Sequence, residues 1–197
     1  MNNRFNVSTT PKPTIIVTPF EESHVSATVL CIKKLGIQLK IHSGGHDYEG
    51  ISYVSSVEFI ILDMFNFWSI DVDMKNETSW NLGKSKVHGF PGGVYPTVGV
   101  GGHLSGAGYG NMLRKHGLTV DHLIDAKLVD AKGRVLDMKA MGDDLFWAIR
   151  GGDGASFGVI LAYKIKLVLV PSVVTVFRNE KTMEWQCGKY GKFWMWL

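Results

Sequence analysis

The chain has 197 residues, 45% hydrophobic and 20% charged, enough for one domain with a real core, at most a two-lobed one. Its 21 basic and 18 acidic residues leave a net charge of +3 spread along the sequence, with no basic stripe longer than Arg114-Lys115-His116, so a nucleic-acid partner is not expected, while an anionic cofactor such as a dinucleotide suits the balance. The two cysteines, Cys31 and Cys187, lack metal-ligand spacing and are too few for a disulfide framework.

From the N-terminus, Met1 to Arg4 does not lead into the apolar core of a signal peptide, and no later run is long enough to span a bilayer. Asn6-Val7-Ser8 and Asn76-Glu77-Thr78 match the N-glycosylation pattern, which occurs often by chance. The β-branched run Thr14 to Val17 predicts a strand. Acids after Pro19, then Val25, Val29, Ile32 and Leu35 before Gly36, predict a helix that carries Cys31 into the core. Alternation over Ile37 to Ile41 predicts the strand that closes a strand, helix, strand unit.

Directly after that strand comes the loop Ser43-Gly44-Gly45-His46-Asp47-Tyr48-Glu49-Gly50, and then the apolar strand Phe59 to Asp63. Strands around a glycine loop place it at a sheet edge, where α/β proteins commonly hold ligands. Ile70 to Asp73 and Glu77 to Trp80 read as pairing strands, whereas Asn81 to Val87 is short, polar and featureless. Gly89 to Gly110 is very rich in glycine. Leu123 to Val129 and Arg134 to Asp137 flank the turn Asp130 to Gly133 as a hairpin; Asp143 to Arg150 reads as a short helix stopped by Gly151, and Gly158 to Val170 as a long β-rich run.

Glycines let the backbone approach a ligand and turn successive amides toward an anion, so loops at 43–50 and 99–110 suit a pyrophosphate and a flat ring system. Taken alone, such a glycine cluster is more often a tight turn than a phosphate-binding loop. Gly99-Val100-Gly101-Gly102-His103-Leu104 ends in leucine where the dinucleotide fingerprint needs glycine, which speaks against a nicotinamide-type site. His42 and His46 stand four apart, but Gly44 and Gly45 between them disfavour a helix, so metal binding is not expected.

The stretch Lys40 to Tyr53 resembles the R-x-R-S-G-G-H-x-Y-E-G-x-S-Y motif of the plant berberine bridge enzyme-like oxidases, members of the vanillyl-alcohol oxidase or p-cresol methylhydroxylase flavoprotein group. Pro96 to His103, Gly108 to Met112 and Asp144 to Gly152 match three further blocks of that family in order. The resemblance implies an α+β, two-lobed FAD-binding domain. It implies FAD joined covalently to His46 at the flavin 8α carbon, with Ser43, Gly44, Gly45, Asp47, Tyr48 and Ser52 near the pyrophosphate loop. Thr97, Val98, Gly101, Gly102, His103, Ser105, Gly106, Gly108 and Tyr109 would line the ribityl chain and ring, with Asp121 close by, and Gly158, Val159 and Ile160 the far end of the cofactor. Hydride would pass from an alcohol, sugar or alkaloid-type substrate to the flavin and on to O₂, and Val98 matches the position where a small residue admits oxygen. Family members are typically secreted or held in the cell wall or vesicles.

Three departures bear on those expectations. Tyr95 stands where bicovalent members carry a second flavin-linking cysteine, so one linkage at most is expected, because a phenol cannot replace a thiolate there. An apparent internal deletion falls near 81–87. The resemblance divides the chain into an FAD-binding domain over 1–172, with lobe one about 1–70 and lobe two about 71–172, and a truncated start of a substrate domain over 173–197. No catalytic base stands out: Asp47, Asp121 and Asp153 read as caps, turns or cofactor hydrogen-bonding residues. A flavin-binding remnant without turnover, and an interaction module whose glycine loops are only turns, stay open as alternatives.

Overall fold

A computed structural model describes residues 10–80 and 87–173. The featureless 81–86, the tail read as the start of a second domain and the sequon at Asn6 lie outside the described residues.

Strand β1 (Ile15–Val17), helix α1 (Glu22–Leu35), strand β2 (Gln38–His42) and strand β3 (Phe59–Asp63) form the expected unit, with one addition. Strand β3 inserts between the other two, in parallel with both, giving the order β1-β3-β2. That central position explains its unbroken apolar run, since Phe59, Ile60, Ile61 and Leu62 are all buried. Helix α1 stops at Gly36, which takes φ +69° and returns its N–H to Ile32 O.

A second, antiparallel sheet has the order β4-β5-β9-β7-β8, with β4 (Asp71–Asp73), β5 (Thr78–Trp80), β7 (Leu123–Val129), β8 (Val135–Leu136) and β9 (Val159–Lys166). Two-residue strands β6 (His88–Gly89) and β10 (Val168–Leu169) pair separately. Strand β9 buries alternate residues, and its register against β7 shifts between Lys127 and Leu128, so that Val159 and Leu161 join one cluster while Tyr163 and Ile165 join another. Helices α2 (Val100–Ser105), α3 (Leu113–His116) and α4 (Met138–Ala148) complete the regular elements.

One apolar cluster joins the two sheets. Val25 of α1 and Leu62 of β3 pack with Val129 of β7 and with Val159 and Leu161 of β9. Lys127 Nζ reaches Glu22 Oε1 at 2.7 Å across the same seam. A larger cluster, including Leu104, Leu128, Phe146, Ile149, Tyr163 and Ile165, fills the opposite face of the antiparallel sheet.

Three expectations need correction. Cys31 is exposed rather than core; it sits one residue, about a 100° turn, from Ile32 on the helix surface, off the stripe that buries Val25 and Ile32. The helix expected from Asp143 is preceded within α4 by an unforeseen turn of helix from Met138, capped by Asp137 accepting from the Ala140 N–H, and the two parts are separated at Gly142, where φ is +73° and ψ 173°. The glycine-rich stretch contains a helix, α2, that no periodicity announced.

Candidate functional site

The loop after β2 returns on itself because glycine supplies the geometry: Gly45 has φ +69° and Gly50 φ +75°. Asp47 staples the turn from inside. Its carboxylate accepts the Glu49 N–H at 3.0 Å, the Ser52 N–H at 2.8 Å and the Ser52 hydroxyl at 2.9 Å. Burial works to raise its pKa, but the hydrogen bonds from Ser52, Glu49 and Gly50 together outweigh it and hold the carboxyl below its ordinary value. Asp47 and Ser52 thus spend their side chains on the loop itself. Tyr48, between them, is exposed.

The second loop meets the first backbone to backbone. A Cβ on Gly44 would stand 2.9 Å from Thr97 O and 3.0 Å from Gly99 Cα, and closer still to the Gly99 nitrogen. Ser43 Oγ faces Gly99 and Gly101. Across this contact His46 Nε2 lies 2.7 Å from Thr97 Oγ1, and Tyr95 stands edge-on to the His46 ring at 5.4 Å. The His46, Thr97 and Tyr95 side chains are exposed, so the junction opens to the surface.

Helix α2 continues from Thr97, Val98 and Gly99. Gly102 lies on its exposed side with nothing within 4 Å of the place a Cβ would occupy, a bare floor that any side chain would fill. His103 points the other way: Nε2 accepts the Gly93 N–H at 3.1 Å and lies 2.9 Å from Thr119 Oγ1, whose hydroxyl also reaches Pro91 O. An Nε2 that accepts must be unprotonated, placing the proton on Nδ1, and burial of the ring lowers its pKa in the same sense. Gly108, at φ +71°, packs against the same ring, while Tyr109 is exposed and Gly106 closes the helix on Gly102 O.

Other expected residues do inner work. The buried Ser105 hydroxyl shares a 2.8 Å hydrogen bond with Tyr163 OH, and burial drives the Tyr163 pKa far up. A Cβ on Gly154 would stand 2.9 Å from Ser105 Oγ and against Ile160, so α2 and the start of β9 are neighbours. Val159 is in the core between the sheets, and a Cβ on Gly158 would meet Val129 O at 2.5 Å. Asp121 accepts the Leu118 N–H at 2.8 Å and caps its own short turn, and Asp153 caps Ala155.

The structure therefore brings together Ser43, Gly44, Gly45, His46, Thr97 and Gly101, sets Gly102 and His103 on the helix that follows with Val98 just before it, and places Val159 and Asp121 elsewhere. Sequence reasoning passed over Gly93, Pro91, Thr119 and Tyr163. Their hydrogen-bond partners are 10 to 58 residues away, so no local pattern marks them. Among the described residues no group of three or more His, Cys, Asp or Glu side chains could hold a metal, and no helix is long and apolar enough to cross a membrane.

Comparison with known proteins shows what this geometry is similar to. The profile of the FAD binding domain family matches residues 81–139. Berberine bridge enzyme-like 21 of Arabidopsis thaliana is 62% identical over 196 residues, covering 93% of this chain and 36% of the relative. Tetrahydroberberine oxidase of Berberis wilsoniae is 54% identical over 189 residues, covering 89% of this chain and 36% of the relative. The structure of berberine bridge enzyme from Eschscholzia californica superposes with a TM-score of 0.84 at 43% identity, over 87% of this chain and 37% of that one. This chain thus spans little more than a third of the length of these relatives. By sequence and by fold the chain matches the FAD-binding portion of the berberine bridge enzyme-like proteins.

Proposed function

We propose that FAD lies across the junction of the 43–50 and 97–110 loops, anchored covalently by His46, in a protein that takes hydride from an alcohol, sugar or alkaloid-type substrate and delivers the electrons to O₂. The observation that carries this reading is the His46 to Thr97 contact of 2.7 Å. With Nε2–H donating to Thr97 Oγ1, the lone pair sits on Nδ1, leaving that nitrogen for attachment. His46 would hold the flavin through Nδ1 while Thr97 fixes the ring from Nε2, and the oxidation such a bond requires would be supplied by the flavin with O₂ as final acceptor. When bound, the flavin supplies the hydride acceptor; the protein's part is to hold it.

The residues fit such a group. The bare floor at Gly102 and the close backbone contact at Gly44 are features that side chains would abolish. Tyr95, edge-on to His46, supports one linkage rather than two, and the half-buried Val98 beside it suits access by O₂. The name of the Berberis relative supports alkaloid-type substrates as one class to assay. Because the chain spans about 36% of its relatives, a flavin-binding unit without turnover of its own is the second reading. Purified protein incubated with FAD and then acid-precipitated tests the first part: colour retained in the pellet supports the reading, and loss of that colour in wild type overturns the linkage. Assay of the flavin-loaded protein with alcohols, sugars and alkaloids for peroxide separates the two readings.

A further inference from the structure

His42 ends β2 directly opposite Asp63, its register partner at the end of β3. Its ring is largely enclosed, with the side chain 17% exposed, and lies against Asp63, Gly45 and Tyr53. Nδ1 lies 3.3 Å from Asp63 Oδ1, yet makes no hydrogen bond although it is buried. On the other edge, Nε2 stands 2.9 Å from the place where a Cβ on Gly45 would be, so only glycine fits over it. The ring also meets Tyr53 edge-on at 6.3 Å, and the buried Tyr53 donates its hydroxyl to Asp47 O at 3.2 Å.

The backbone just before His46 therefore rests on His42 directly, and the backbone just after it rests on His42 through Tyr53. Asp63 is itself fixed, since Oδ1 also accepts the Phe65 N–H at 3.1 Å. Buried polar atoms are ordinarily satisfied, and the exceptions concentrate where structure serves function. The 3.3 Å approach to Asp63 on one edge and the close fit against Gly45 on the other leave the ring wedged between a carboxylate and the loop.

We propose that His42 is a positioning residue: held by Asp63, it sets the Gly45-His46-Asp47 backbone and so aims the His46 ring at the cofactor. This rests on the reading of His46 as the flavin anchor. His42 touches neither flavin nor substrate and acts only through the loop.

The test compares His42→Phe, which keeps a ring beside Tyr53 but has no nitrogen, with His42→Asn, whose amide N–H takes the place of Nδ1–H toward Asp63. Each is incubated with increasing FAD. The limiting rate of acid-stable flavin formation, the FAD concentration at half-maximal rate and the melting temperature without FAD are recorded. The expected result for His42→Phe is a limiting rate lowered roughly tenfold, the lower end of what losing a supporting shell costs at metal sites. The half-maximal FAD concentration and the melting temperature stay close to wild type, and His42→Asn recovers most of the rate. Wild-type attachment with an equal rate in His42→Phe overturns this proposal alone. So does a rate loss that merely tracks lost folding or FAD binding with no recovery in His42→Asn. Wild type that binds FAD but never holds it through acid overturns the His46 reading and this proposal with it.

Discussion

Gly44, in the loop after β2, and Gly102, in the neighbouring helix α2, should respond to the same alanine substitution in opposite ways. At Gly44 the new methyl meets the backbone of the facing segment, Thr97 O at 2.9 Å and Gly99 Cα at 3.0 Å, and backbone cannot rotate away as a side chain would. Overpacking of this kind costs about 1–3 kcal/mol, roughly 2–12 °C in melting temperature for a chain of this size. At Gly102 the methyl meets nothing within 4 Å, and within helix α2 alanine is favoured over glycine by about 0.5–1 kcal/mol. Gly102→Ala should therefore melt no lower than wild type without ligand. With FAD at a hundred times its dissociation constant, wild type should gain about 2.7 kcal/mol, or roughly 5–11 °C. If the methyl stands where the cofactor belongs and weakens binding a hundredfold, the gain at the same FAD shrinks to about 0.4 kcal/mol, under roughly 2 °C. Thermal unfolding followed by near-ultraviolet circular dichroism, with and without FAD, reads both effects. A Gly44→Ala protein as stable as wild type would refute the backbone contact, and a Gly102→Ala protein with the full FAD shift would refute the cradle.

Tyr163→Phe removes a partner of the buried Ser105 hydroxyl and should destabilise by about 1–3 kcal/mol in urea unfolding; adding Ser105→Ala should cost less than the two single changes summed, since the pair is lost together. Asp47 holds its proton less tightly folded than unfolded, so its stabilisation is present above the ordinary value of 3.8 and is lost as the pH falls through the lower folded value. The stability difference between wild type and Asp47→Asn should accordingly shrink on acidification from about pH 5, and a difference constant across that range would show the carboxylate bonds to be energetically idle. Cys31 should be alkylated in the native protein, as peptide mapping would show, because the helix surface carrying it is exposed; protection until unfolding would return it to the core.

The parts of this fold that were legible from sequence are those where local preference and burial agree. Strand β3 reads as an apolar strand from Phe-Ile-Ile-Leu alone, its central place coming only from the sheet order, and α1 reads from its apolar recurrence and Gly36. Helix α2 was illegible for the opposite reason: Val-Gly-Gly-His-Leu-Ser has poor helical propensity, and the helix forms because Leu104 and Ser105 are buried by tertiary packing. At the site, the glycine loops and His46 were visible as a motif. The division of labour among the polar residues was not, because it depends on partners distant in sequence. Asp47 and Ser52 bond each other, Ser105 bonds Tyr163, and His103 accepts from Gly93, a geometry that residue types alone do not encode.

The most direct test of the central claim is the intact mass of the denatured protein after incubation with FAD, for wild type and His46→Ala. The account predicts wild type heavier by one FAD and His46→Ala unchanged while still binding FAD reversibly. Wild type without the added mass, or His46→Ala carrying it, contradicts the account.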